Sequence, residues 1–289
     1  MRQRQVQSHR PALAWVAALG LALAACSPSG TGGGAKKVDF QALNPIIDQG
    51  FGGRGTCVSI RDIKTGGEVY AYGSNGVCMR QLPPCSTFKI ANALIGLDAG
   101  LVTPGAVVPW DGKPAAVKAW ETDADLAKAF KLSMVPWFQR LARQVGHEAY
   151  VKQLKALDYG SADPAGPVDQ FWLGPQAGGG LTISTRQQSA FIAKLYSSNL
   201  PVKATSTEVV EQIMVDERRG DATMSGKTGT CSSLADGSRS VGWWVGRVQT
   251  KDQNLAFAVS MEGASALPGR ELQTRFKSAL TKIGLWPAA

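Results

Sequence analysis

Patterns typical of β-strands occur near both ends of the chain, and patterns typical of helices fill the region between them. β-Branched and aromatic residues are frequent at 56–63 and 68–72, on either side of a glycine-containing turn, which predicts a hairpin where the fold begins. Three further strands are expected at 221–230, 240–249 and 254–262. Because these strands need a shared core, their order predicts an α+β fold in which helices flank an antiparallel sheet that has an all-helical insertion.

Helical periodicity defines the inserted region. Apolar residues recur at helical spacing from Phe88 to Leu97, and the pattern stops at Gly100. The same periodicity predicts further helices at about 123–131, 136–156, 185–197, 205–216 and 269–284. We therefore expect residues 40–289 to form one domain, with the helical region at about 86–204.

Residues 1–25 have the layout of a secretory signal peptide. Three arginines precede an apolar stretch that is too short to span a bilayer, and small residues follow it. The end of this stretch, Leu23-Ala24-Ala25-Cys26, resembles a bacterial lipobox, in which Cys26 would be lipidated; cleavage that leaves Cys26 unmodified is the alternative. Both predict an exported, periplasmic protein, anchored to the outer membrane if lipidated. Residues 26–39 are then a flexible tether.

Charge and histidine content exclude several function classes. The formal net charge is +9, but the charges are scattered and no basic run contains interleaved aromatic residues, which argues against nucleic-acid binding. A mildly basic surface suits anionic small molecules, although solubility alone would also account for it. With only His9 and His147, we expect no histidine-rich metal site, and a Ser-His-Asp triad would depend on His147 once a signal peptide is removed.

Ser86 and Lys89 are the first candidate catalytic pair. They lie three residues apart at the start of a predicted helix, so their side chains can meet on one face. A serine becomes a nucleophile when a neighbouring base takes its proton, and a lysine can be that base if burial leaves its amine neutral. Taken alone, the pair is better read as a helix-capping serine with a solvated lysine.

The run Lys227–Thr230 lies within a predicted strand, which we place at a sheet edge beside Ser86. There Lys227, Thr228 and Gly229 would bind a substrate carboxylate. The backbone amide of Thr230 would join that of Ser86 in an oxyanion hole. A solvated turn lysine is the alternative.

A third element, Ser133-Met134-Val135, lies between these two at a predicted helix start. Taken alone, Ser133 could equally be a helix cap with no catalytic role. In this order, the three elements resemble the Ser-x-x-Lys, Ser-x-Val and Lys-Thr-Gly motifs of penicillin-recognising enzymes. Ser-x-Val and the segment Gln170–Leu173 are similar to those of class D, oxacillinase-type serine β-lactamases. The resemblance covers the chain from about Phe40 onward. It implies a serine β-lactamase/penicillin-binding transpeptidase-like fold, and hydrolysis of penicillin-like antibiotics through a serine acyl-enzyme, giving resistance.

The resemblance also implies a role for each matching residue. Lys89 would carry a carbon dioxide adduct and act as general base, with no separate cofactor, and Ser133 would relay a proton to the leaving nitrogen. Trp172 would donate its indole N–H to the adduct, or serve only as a core aromatic, and Val135 and Leu173 would help to keep the pocket dry. No glutamate occurs from residue 149 to residue 207, where class A enzymes carry their deacylating glutamate.

Two departures from the family pattern stand out. The family's Tyr-Gly-Asn is Tyr159-Gly160-Ser161 here, which puts the geometry of that loop in doubt. The family's second carboxylate-binding arginine matches Arg270, although Arg275 is an alternative.

Four cysteines remain beyond Cys26, and four cysteines allow three pairings. In the fold implied by the resemblance, Cys85 next to the nucleophile and Cys231 next to the Lys-Thr-Gly run flank one cleft. A Cys85–Cys231 disulfide is therefore expected, which leaves Cys57 and Cys78 to pair; four free thiols are the alternative in an oxidising compartment.

Two other functions compete with hydrolysis. A penicillin-binding sensor of the same fold would acylate without turnover, and a D-Ala-D-Ala peptidase would normally favour a polar residue at Val135. The sequence leaves the β-lactam range open, and a monomer or weak dimer is expected.

Overall fold

The computed structural model describes residues 38–51, 53 and 55–288. The predicted signal peptide, the lipidation site at Cys26 and most of the predicted tether lie outside these residues. Within the described part of the chain, every helix is too short or too polar to cross a membrane.

Six strands form one antiparallel sheet with the order β2-β1-β6-β5-β4-β3, which confirms the predicted α+β class. Their bounds are β1 Thr56–Asp62, β2 Glu68–Tyr72, β3 Val215–Arg219, β4 Ala222–Ser232, β5 Ser240–Gln249 and β6 Asn254–Gly263. β1 pairs with β6, with Thr56 opposite Met261, so the two ends of the chain meet in the middle of the sheet.

Helices cover both faces of the sheet. They are α1 Leu43–Gly50, α2 Asn75–Cys78, α3 Lys89–Asp98, α4 Leu126–Lys131, α5 Val135–Val145, α6 His147–Ala156, α7 Thr185–Tyr196, α8 Ala204–Ile213 and α9 Gly269–Lys282. Helices α3 to α8 lie between β2 and β3 in the sequence, as the predicted helical region requires.

Three details of the sequence prediction are wrong. The described fold opens with α1 rather than with a strand, because Leu43 and Ile47 are buried one turn apart in the core that α9 also joins. The helix expected at 136–156 is divided at Gly146, whose φ of 81° ends α5 before α6 begins. The helix expected at 205–216 ends at Ile213, and the next residues form β3, a short and half-exposed strand.

Side chains alternate between the two faces of the sheet and fill two separate cores. On β5, Trp243 and Val245 join the core beneath the helical region, whereas Trp244 and Val248 join the core beneath α1 and α9. Truncating a buried tryptophan such as Trp244 to alanine is expected to cost about 3–5 kcal/mol of unfolding free energy. Because both faces of the sheet are packed in hydrophobic cores, the sheet holds the cleft elements in fixed positions.

Candidate active site

Ser86 and Lys89 meet at the start of α3. Ser86 lies in the 3-10 turn Cys85–Phe88, and Lys89 is the first residue of α3. Lys89 Nζ lies 2.8 Å from Ser86 Oγ, within hydrogen-bond distance. Ser86 is half-buried and Lys89 is fully buried, so the serine hydroxyl faces the cleft with the amine behind it.

The surroundings of Lys89 favour a neutral amine. Burial, and secondly the positive charge of Lys227, hold the pKa of Lys89 well below its ordinary value. The Phe138 ring centre lies 5.6 Å from Nζ. A neutral amine can accept a proton, so this pKa shift is in the direction that a base for Ser86 needs.

Trp172 lies in an aromatic cluster around Phe88, the residue before Lys89. Its ring stacks on Phe88 with ring centres 5.4 Å apart, and its indole N–H is buried without a hydrogen-bond partner among the described residues. Leu173 is partly buried against the hydrophobic core that contains this cluster. Val135 is half-buried, and its expected role in keeping the pocket dry stays a prediction; Phe138, one turn later on α5, lies over the Lys89 amine.

β4 brings the Lys-Thr-Gly run to the turn that carries Ser86. With the two-residue period of a strand, Lys227, Gly229 and Cys231 point to the same face. Gly229 packs against that turn so closely that a Cβ would lie 3.1 Å from the Pro84 carbonyl oxygen and 3.2 Å from the Thr87 nitrogen. Glycine at this position therefore allows the strand and the turn to approach.

The placement of this run on an edge strand is wrong as stated, because β3 lies outside β4. β3, however, pairs with β4 only as far as Ser225, and the Gly226 N–H donates to the Met214 carbonyl. Beyond Gly226, the described part of the chain offers no strand partner on that side. By strand alternation, the N–H groups of Thr228 and Thr230 point to the same open side as that of Gly226. This is the direction that an oxyanion-hole amide at Thr230 requires.

Ser133 reaches the cleft from the loop before α5 rather than from the start of that helix. Its backbone has a φ of 56°, a left-handed conformation that non-glycine residues adopt mainly at constrained sites. Lys227 Nζ donates to Ser133 Oγ at 2.9 Å and to the Thr228 carbonyl at 3.0 Å. Lys227 thus joins the serine of the second motif to the strand of the third.

The two candidate arginines lie in different places. Arg270 borders a cavity of about 140 Å³ together with Lys227, Thr228 and Gln273. Burial and the Arg270 charge lower the pKa of Lys227 to about 7. Arg275 instead pairs with Glu271 and donates to the Gly50 carbonyl. The geometry therefore favours Arg270 as the partner of Lys227 in binding a carboxylate.

Ser161 closes the loop that contains Trp172. Its N–H donates to the Thr182 carbonyl at 2.7 Å, and its Oγ accepts from the Thr182 N–H at 3.1 Å. Gly160, with a φ of 58°, gives the turn needed at this point, since a Cβ there would lie 2.1 Å from the Thr182 oxygen. A serine can therefore hold this loop in place of the family's asparagine.

The structure contains both expected disulfides. Cys85 bonds to Cys231 and Cys57 bonds to Cys78, with Cα separations of 5.7 and 5.2 Å. No cluster of His, Cys, Asp or Glu within the described residues could hold a metal ion.

Sequence reasoning missed two aromatic residues of the cleft. Phe138 lies over Lys89, and the Phe130 ring centre lies 5.8 Å from Lys227 Nζ. Both occupy buried positions on the amphipathic helices on either side of Ser133. The apolar periodicity of these helices marks the two residues as buried, but it does not say which of them face a lysine.

Comparison with known proteins places this arrangement in a family. Residues 56–281 match the penicillin binding protein transpeptidase domain. The chain is 41% identical over 180 residues to β-lactamase OXA-48 of Klebsiella pneumoniae, an alignment that spans 62% of this chain and 65% of that protein. It is 40% identical over 203 residues to β-lactamase OXA-5 of Pseudomonas aeruginosa, which spans 69% of this chain and 72% of that protein.

A solved structure agrees with these relatives. The BPu1 β-lactamase superposes with a TM-score of 0.75 at 31% identity, over 84% of this chain and 98% of that one. Family match, relatives and fold coincide, and the described site carries the three motifs in the expected order. The chain belongs to the penicillin-binding protein transpeptidase family and, within it, to the class D serine β-lactamases, which are hydrolases.

Proposed function

We propose that this protein hydrolyses β-lactam antibiotics through an acyl-enzyme on Ser86, with the side chain of Lys89 as general base in its carboxylated form. One arrangement carries the proposal: a fully buried lysine amine lies 2.8 Å from the serine oxygen, and the residue before that lysine, Phe88, stacks on Trp172, whose buried indole N–H has no partner among the described residues. A buried N–H group without a hydrogen-bond partner normally destabilises the folded state.

The residues present fit a carbon dioxide adduct on Lys89. Adduct formation requires a neutral amine, which the lowered pKa of Lys89 favours, and persistence requires little water, which Phe138 and Phe88 favour. Trp172, whose indole N–H has no partner within the described ranges, would donate it to the adduct. The adduct would supply a carboxylate-type base at the end of the lysine side chain.

The other residues bind the substrate and stabilise charge. Lys227, Thr228 and Arg270 would hold the substrate carboxylate, which presents the lactam carbonyl to Ser86 Oγ. As Ser86 attacks, the N–H groups of Ser86 and Thr230 would stabilise the oxyanion. Ser133, hydrogen-bonded to Lys227, would pass a proton to the departing nitrogen. Water then attacks the acyl-enzyme, with Lys89 again placed to accept the proton.

We also propose that the protein acts outside the cytoplasm and confers β-lactam resistance. The signal-like residues 1–25 and the lipobox-like end at Cys26 support export, with membrane anchoring if Cys26 is lipidated. A chase with labelled fatty acid, comparing the protein with its C26A variant, tests the anchor. Loss of label in C26A is expected, whereas equal or absent label in both proteins would contradict lipidation.

The function is tested by following hydrolysis of a chromogenic cephalosporin in degassed buffer and then adding bicarbonate. We expect multiple turnover that rises with bicarbonate, and no turnover by S86A. A single stoichiometric burst that bicarbonate leaves unchanged would contradict the proposal and indicate a penicillin-binding sensor. Release of D-alanine from a D-Ala-D-Ala peptide by the same protein would indicate a peptidase.

A further inference from the structure

The Cys85–Cys231 disulfide joins the two segments that supply the oxyanion-hole amides. Cys85 directly precedes Ser86, and Cys231 directly follows Thr230. A covalent bond therefore links the residue before the Ser86 amide to the residue after the Thr230 amide. The two cysteines are 146 residues apart in the sequence, so local chain geometry does not fix this spacing.

The backbone of Cys85 is held in an unfavourable conformation. Its φ is 50°, in the left-handed region that disfavours side chains with a Cβ. Cys85 is almost fully buried, and the residue after it carries both the nucleophile and one oxyanion amide. The dihedral angles at residue 85 therefore set the direction in which Ser86 leaves the turn.

A third segment packs against the same bond. A Cβ on Gly174, two residues after Trp172, would lie 3.4 Å from Cys231 Sγ and 3.5 Å from the Pro83 Cβ. The Pro83 carbonyl accepts a hydrogen bond from Trp243 Nε1 at 2.9 Å. The turn, β4, β5 and the Trp172 loop thus converge around one disulfide.

We propose that the Cys85–Cys231 disulfide is a positioning element for acylation. It keeps residue 85 left-handed and holds the turn against β4, and thereby sets the spacing of the Ser86 and Thr230 amides. This inference rests on the proposed roles of Ser86 and Thr230. It concerns the rate of acylation and is distinct from any general stabilisation of the fold.

The second disulfide provides a matched control. Cys57 lies in β1 and Cys78 ends α2, and their bond closes a segment of 21 residues. Both bonds link cysteines that are buried or half-buried. Removing either bond removes one covalent constraint. Only the Cys85–Cys231 bond adjoins the nucleophile.

The experiment compares three double variants, C85A/C231A, C85G/C231A and C57A/C78A, by single-turnover acylation with a chromogenic cephalosporin, well below each melting temperature. We expect C57A/C78A to acylate like the wild type. C85A/C231A should acylate about tenfold more slowly, because alanine disfavours the left-handed conformation as cysteine does and no disulfide then holds residue 85 in it. C85G/C231A should recover part of the rate, because glycine adopts positive φ readily. A purely structural bond would not give this dependence on residue 85.

Several results would overturn the inference. One is wild-type acylation by folded C85A/C231A; another is equal slowing in C57A/C78A; a third is no gain from glycine at residue 85. If both residue-85 variants fail to fold, the C57A/C78A protein is instead treated with a phosphine, which reduces Cys85–Cys231 to two thiols; unchanged acylation then overturns the inference. Absence of turnover in the wild type would contradict the proposed function itself, so the two failures are distinguishable.

Discussion

The cleft has two walls, and each buries a lysine in different surroundings. The helical wall, formed by α3 and α5, buries Lys89, and the sheet wall, formed by β4, buries Lys227. On the helical wall, Lys89 lies beside Phe138, and Ser86 Oγ is the hydrogen-bond partner that the described residues offer its amine. On the sheet wall, Lys227 donates to Ser133 and to a backbone carbonyl, with Arg270 nearby.

The comparison shows that burial lowers the pKa of both lysines, while their partners determine what each can do. Burial holds the pKa of Lys89 well below its ordinary value, which favours the neutral amine that covalent chemistry and proton transfer require. The pKa of Lys227 falls to about 7, so near neutral pH the side chain still carries part of its charge and can bind an anion.

The largest effect should come from replacing the lysine of the helical wall. We expect K89Q to reduce turnover by about a thousandfold, because it removes the general base, whereas K227Q should act mainly on KM. Steady-state kinetics with a chromogenic cephalosporin measure both effects. K64Q, at an exposed position, serves as the control. A greater loss of kcat in K227Q than in K89Q would reverse the comparison between the two walls.

On the sheet wall, R270A should raise KM by roughly 10- to 100-fold with little change in kcat, because a charge-assisted contact to the substrate carboxylate is lost. R275A, on the same helix but paired with Glu271, is the matched control and should behave like the wild type. Steady-state kinetics with the chromogenic cephalosporin show which of the two arginines binds the substrate carboxylate. If R275A raises KM and R270A does not, the assignment of the two arginines is wrong.

A smaller effect is expected from the indole of the helical wall. W172F keeps an aromatic ring but removes the N–H, and should raise the bicarbonate concentration for half-maximal activity by about tenfold. The matched control is W286F, since Trp286 is also buried with an unpartnered indole nitrogen among the described residues, but in the other core. Equal bicarbonate dependence in W172F and wild type would show that Trp172 only fills space.

The smallest effect is a pH dependence from the sheet wall. Lys227 is protonated below its pKa of about 7 and neutral above it, so kcat/KM should fall a few-fold as the pH rises through 7. Arg270 helps to lower that pKa, so R270A should move the fall to higher pH. A pH profile of kcat/KM for both proteins measures this shift. If kcat/KM of R270A falls at the same pH as in the wild type, a group other than Lys227 causes the fall.

The sequence was sufficient to predict a sheet built from both ends of the chain. Its three motifs also include the polar side chains that meet in the cleft, although Ser133 lies in the loop before α5 and not at a helix start. It did not reveal β3, since Val215–Arg219 is short, charged and half-exposed. It did not reveal α1, whose two buried residues are too few for a clear period. It did not reveal that Phe138 lies over Lys89, since the apolar period of α5 marks Phe138 as buried but does not say what it faces.

The pairing of β1 with β6 has a consequence for how the protein is made. β1 ends at residue 62 and its neighbour β6 ends at residue 263, so the first hairpin waits through most of translation for its central partner. The turn with Ser86 likewise waits for Thr230. A ribosome that stops before β6 would release a chain with unpaired strand edges and an incomplete cleft, which favours aggregation or proteolysis over partial activity. Antibiotic hydrolysis would then be an all-or-none property of each synthesised molecule.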